Sequence, residues 1–127
     1  MAAKQKATFS DIHTALRTIL KKYEGKGVAA QPDRPGNYVL IGPPTEASRG
    51  KDVWFAGVKT GKSYVSLHLM PVYAFPELLA TVSPVLRKRM QGKSCFNFTR
   101  PDPILFKEVG KLVDASYKRF RAEKLIR

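Results

Sequence analysis

Two extended segments, residues 53–59 and 63–69, constrain this fold more than any other feature of the chain. Both are rich in the β-branched and aromatic side chains that suit a pleated, half-buried surface. The stretch Lys59-Thr60-Gly61-Lys62 between them predicts a tight hairpin. With Thr60 and Gly61 as turn residues, Phe55 falls opposite Ser66, Gly57 opposite Tyr64, Trp54 opposite Leu67 and Ala56 opposite Val65. Side chains alternate across a strand, so Trp54, Ala56, Val65, Leu67 and Leu69 are predicted to face the core. The other face, with Phe55, Tyr64, Ser66 and His68, is predicted to be open.

Helices bracket this hairpin. Phe9, Ile12, Leu16, Ile19, Leu20 and Tyr23 recur at three- and four-residue spacing, which predicts an amphipathic helix with Thr8 and Asp11 as a capping box. Residues 28–41, broken by Pro32, Pro35 and Gly36, predict two short strands, the second over 37–41. Residues 70–76 read as a connection and 77–82 as a helical turn. Ser83-Pro84 and Asp102-Pro103 each pair an N-cap residue with Pro at the first helical position. The first predicts a short helix as far as Met90, stopped by Gly92. The second predicts a long helix to about Lys124, with Leu105, Phe106, Val109, Leu112, Val113, Tyr117 and Phe120 as its apolar stripe. Residues 94–98 alternate as a last strand. Together these elements predict one α+β domain over residues 1–127, the first seven being flexible. It has two layers: a mainly antiparallel sheet of about five strands, with the N- and C-terminal helices packed on one face.

The chain carries 23 Lys and Arg against 10 Asp and Glu, a net charge of +13 over 127 residues. With 43% hydrophobic residues the chain can still offset its folding entropy, so this charge belongs on the surface of a folded domain. Its distribution is uneven: between Glu77 and Asp102 there is no acid, while Arg87, Lys88, Arg89, Lys93 and Arg100 fall there. Together with Lys62 they form a candidate binding surface for nucleic acid or another polyanion. Phe55, Tyr64, Ser66 and His68 on the open sheet face would add stacking and hydrogen bonds. The ordinary alternative is that these bases are solvated solubility charges. No apolar run is long enough to span a membrane, and the single Cys95 fits a reducing compartment, so a cytoplasmic location without membrane partners is expected.

Other chemistry is thinly supported. Gly61-Lys62-Ser63 and Gly92-Lys93-Ser94 end like phosphate-binding loops, but Ala56 and Arg87 stand where the earlier glycine is required. The first reads as a hairpin turn and the second as a helix C-cap. His13, His68 and Cys95 are too few for a zinc site, and no local signature of a nucleophile or a carboxylate pair is present, so no catalytic residue, metal ligand or cofactor is assigned. An enzymatic alternative would centre on His68 and Cys95.

The segments 53–58 (Val53-Trp54-Phe55-Ala56-Gly57-Val58), 62–73 (Lys62 to Tyr73) and 83–98 (SPVLRKRMQGKSCFNF) resemble the YdhG-like domain family of unknown function. The resemblance covers roughly residues 53–120 and implies a small bacterial α+β domain. Some members are described as frataxin-like iron chaperones, which implies iron delivery. That role rests on an acidic ridge, because hard iron ions prefer clustered carboxylates. Here Asp11, Glu24 and Asp33 stand among Arg17, Lys21, Lys22, Lys26 and Arg34. The leading expectation is therefore a non-enzymatic binding module for an anionic partner. The alternative is a frataxin-like intracellular iron chaperone or a small-molecule carrier.

Overall fold

The computed structural model describes residues 2–32 and 34–127, with side chains from residue 8 onward. Eleven elements follow in chain order. Helix α1 spans Ala2–Lys21, strand β1 Ala29–Ala30, β2 Asn37–Gly42, β3 Val53–Thr60 and β4 Val65–Leu69. Helix α2 is Met70–Ala74, followed by a 3-10 turn at Pro76–Leu79, helix α3 at Pro84–Arg87, β5 at Met90–Gln91, β6 at Cys95–Phe98 and α4 at Pro103–Ala122. The six strands form one antiparallel sheet in the order β1-β2-β3-β4-β6-β5, one strand more than expected.

The helix stripes read from spacing are the core. Phe9, Ile12, Leu16 and Leu20 of α1, with Tyr23 just beyond it, and all seven stripe residues of α4 are buried against Leu40, Ala56, Val58, Leu67, Leu69 and Phe96 of the sheet. Helix α1 begins at Ala2 and runs through Thr8, so Thr8 and Asp11 do not start it. The side chains of the first seven residues, where flexibility was expected, lie outside the described residues.

Both Pro-preceded caps form. Asp102 accepts from the Leu105 amide at 3.1 Å, and Ser83 Oγ accepts from the Leu86 amide at 3.2 Å. Glu108 of α4 reinforces the second cap, its carboxylate accepting from both the Ser83 amide and hydroxyl at 2.6 Å. Helix α3 nevertheless ends at Arg87, three residues short of the expected Met90, because Met90 and Gln91 leave it to pair with Phe96 and Cys95. Residues 70–74, expected as a connection, are helix α2. Gly92 turns β5 into β6 and does not cap a helix; its φ of 77° is the left-handed conformation that glycine supplies without strain.

The hairpin register departs from expectation by four residues. Ala56 pairs with Leu69, Gly57 with His68 and Thr60 with Val65, because Gly61 to Tyr64 make a longer turn closed by the Gly61 amide donating to the Tyr64 carbonyl. A shift of four, being even, leaves every β4 side chain on its predicted face: Val65, Leu67 and Leu69 are buried, and Ser66 and His68 are half-buried on the other side.

One prediction about β3 fails at an irregularity in its pairing. Leu40 pairs with Ala56 and Ile41 with Trp54, so Phe55 has no partner on β2. This β-bulge adds one residue to β3 and reverses the alternation before it. Phe55, expected on the open face, is fully buried, its ring 6.2 Å from Tyr23, 6.0 Å from Tyr117 and 6.2 Å from Phe120. Trp54, expected in the core, takes its place on the open face.

Candidate functional site

The helices cover one face of the sheet, and strand pairing fixes what stands on the other. One cross-strand row runs Asn37, Lys59, Ser66, Asn97, with Arg89 continuing it at the edge, where its carbonyl accepts from the Asn97 amide at 2.8 Å. The next row runs Val39, Gly57, His68, Cys95, Gln91. Neighbouring strands lie about 4.8 Å apart, so the Lys59 and Arg89 backbones stand roughly 14 Å apart with polar side chains between them.

Those polar side chains are bonded to one another. Ser66 Oγ donates to Asn97 Oδ1 at 2.7 Å, and Asn97 Nδ2 donates to Gln91 Oε1 at 2.7 Å. Each member retains capacity for a ligand, since a hydroxyl has a second lone pair and an amide nitrogen a second proton.

Trp54 lies beside this network. A Cβ at Gly57 would come 2.9 Å from Trp54 Cζ2, so the six-membered ring covers a position that only glycine leaves open. The His68 ring meets it edge-on at 5.7 Å and 90°. Trp54 is half-buried, with one side of the indole against the sheet and part of it accessible.

His68 and Cys95 face each other across β4 and β6, which satisfies the first geometric requirement of the enzymatic alternative. The sulfur lies 3.1 Å from His68 Nδ1 and 3.2 Å from Nε2. Both distances are within hydrogen-bond reach, and the donor and acceptor roles depend on the imidazole tautomer. Burial pushes the Cys95 thiol up, opposed by a hydrogen bond from Ser94. Burial, followed by the charge of Lys59, pushes the His68 imidazole down. Near pH 7 both groups are therefore neutral, the reverse of a thiolate–imidazolium pair.

The His68 shift gives a testable result. Its NMR titration midpoint is expected below the ordinary histidine value, and Lys59→Gln should move it partway back. The unfolded chain binds this proton more readily, so stability should fall as pH drops below about 6.5 toward the folded midpoint. His68→Gln should flatten that part of the stability profile in urea melts at several pH values. A midpoint at or above the ordinary value would show that burial does not govern this ring.

The remaining expected site residues divide among four places. Arg89 is exposed, and its backbone stands opposite Asn97 at the edge of the sheet. Arg87 and Lys93 line a cleft beside α2. Lys62 and Arg100 are exposed beside the β3–β4 turn and just past β6, at the end of the sheet where Val65 pairs with Phe98. Lys88 is exposed at the C-terminus of α3. Tyr64 lies in the turn, outside β4, and is 37% exposed.

Sequence reasoning missed Trp54, Lys59, Asn97 and Gln91. A glycine inside a strand signals close approach by another group, and Gly57 carried that signal for Trp54. His13 approaches Thr60 Oγ1 at 3.2 Å and links α1 to the end of β3. Among the described residues no three His, Cys, Asp or Glu side chains converge as metal ligands, and Glu24 accepts from the Tyr38 hydroxyl at 2.7 Å. Asp33, the third acid weighed for iron, lies outside the described residues. Among the described residues no helix is long and apolar enough to cross a membrane.

Comparison with known proteins adds no neighbour: no family model, no curated protein and no solved structure matches the chain.

Proposed function

We propose that this chain is a non-enzymatic binding module whose open sheet face engages a ring-bearing polyanion, with single-stranded nucleic acid as the partner. The observation that carries this reading is Trp54 lying over Gly57 beside a polar row in which Ser66 and Asn97 stand between two cationic residues, Lys59 and Arg89. Single-strand binders combine aromatic platforms, on which bases stack, with cations that track the phosphates. Ser66, Asn97 and Gln91 add donors and acceptors of the kind that reach base edges. The neutral Cys95–His68 contact supports binding over nucleophilic catalysis. The YdhG-like resemblance agrees with this reading in fold class and adds no ligand to it.

The test is fluorescence anisotropy of a labelled oligothymidine of about 12 nucleotides, with heparin as a base-free polyanion. Each phosphate contact should steepen the fall of log K with log salt by about 0.7. With Lys59, Arg89 and one or two neighbouring bases engaged, a slope of about −2 to −3 is expected, together with preference for oligothymidine over heparin. Equal binding of both polymers would reduce the basic surface to solvated charge.

A further inference from the structure

On the side of the sheet away from Trp54, the chain builds a concave surface. It is a cleft of about 610 Å³ where α2, the 3-10 turn and the β5–β6 hairpin meet. Its apolar wall comes from Val72, Tyr73, Leu79 and Met90, and its charge from Arg87 and Lys93. We infer that this cleft binds a small organic anion, a carboxylate or phosphate carried on a flat apolar body, independently of the sheet face.

The size falls in the range of cavities that enclose a small ligand. The wall is built and not fluid: Val72 is buried, and Met90 packs against the core while its backbone is held in the β5–β6 pairing. Tyr73, by contrast, is 56% exposed, a large ring at the rim whose apolar face a flat ligand would cover.

Charge selects the headgroup. Among the described residues no carboxylate lines the cleft, and neither Arg87 nor Lys93 forms a salt bridge. The acid nearest in sequence to the cleft wall, Glu77, is engaged by Arg119 at 2.9 Å. Two cations therefore share the lining with nothing to neutralise them, and a bound anion would relieve their mutual repulsion. The planar guanidinium of Arg87 suits a two-oxygen contact with carboxylate or phosphate, and Lys93 supplies a movable point charge. Both side chains are exposed, so removing their charge should leave the fold intact.

The experiment is a ¹⁵N-resolved NMR titration of the full chain with four probes: 1-naphthyl phosphate, 1-naphthoate, neutral 1-naphthol and inorganic phosphate. At least one naphthyl anion should bind about tenfold or more tighter than both naphthol and phosphate, since hydrogen bonds to charged groups are worth about 1.5–3 kcal/mol. Its shifts should centre on the Tyr73 and Lys93 amides. The double variant R87Q/K93Q should lose this preference while keeping the wild-type spectrum elsewhere. Trp54→Ala should leave naphthyl-anion binding unchanged, which separates this site from the sheet face. The inference is overturned if naphthol or inorganic phosphate binds as tightly as both anions, if the shifts centre on Trp54 and His68, or if R87Q/K93Q binds like the wild type.

Discussion

Replacing Phe55 with Ala should lower the unfolding free energy by about 3–5 kcal/mol, the range for deleting a buried aromatic ring. Phe55 is fully buried among Tyr23, Tyr117 and Phe120, so its removal costs both the transfer of the ring and the cavity left behind. The cavity would not close easily. Its walls come from α4, from Tyr23 just beyond α1, and from a bulge held between the Leu40 and Ile41 pairings, and these cannot collapse on one point together. With a typical margin of about 5–15 kcal/mol, the variant should fold in water but unfold at much lower urea, and in an unfavourable case lose its structure at 37 °C. Urea titrations followed by circular dichroism measure this directly. A companion variant, Phe55→Leu, should cost markedly less, because it keeps most of the apolar volume. Were Phe55 on the open face, as alternation alone predicts, both variants would differ from wild type by under about 1 kcal/mol, and that result would place the bulge elsewhere.

What the chain reveals before folding is set by the range of each interaction. The apolar stripes of α1 and α4 and the caps at Ser83 and Asp102 depend on residues within a turn of one another, and they are where spacing put them. The β4 faces survive a wrong register because alternation has a period of two and the error was four. Phe55 and Trp54 depend on the far side of the sheet: the bulge exists because a buried place for one aromatic ring lies between helices distant in sequence, and no local pattern in β3 encodes it. The same is true of the candidate site. Ser66 and His68 were legible from strand alternation, whereas Asn97, Gln91 and Arg89 join them only through pairings between strands. The basic segment 87–100 read as one surface in sequence, yet Arg87 and Lys93 line a cleft while the Arg89 backbone stands opposite Asn97 at the edge of the sheet, because α3 ends early and the chain turns into β5.

The second large effect concerns the sheet face itself, and it separates stacking from charge. Trp54→Ala should weaken oligothymidine binding by about 5- to 150-fold, the equivalent of roughly 1–3 kcal/mol for one stacked base. Its stability cost should be smaller than that of Phe55→Ala, because Trp54 is only half-buried and rests on the sheet surface without a packed shell around it. The salt slope should stay as it is, since no phosphate contact is lost. Reversing the two flanking charges, K59E/R89E, should do the opposite: the slope should flatten by about 1.4, two contacts at about 0.7 each, and the affinity should fall most at low salt. Both residues are exposed, so the fold should tolerate the change. Anisotropy at three salt concentrations for wild type and both variants distinguishes the terms. If Trp54→Ala changes the slope and not the affinity at fixed salt, the indole shapes the surface without stacking. If K59E/R89E leaves the slope unaltered, the phosphates run over another part of the molecule, and the row from Lys59 to Arg89 is not their track.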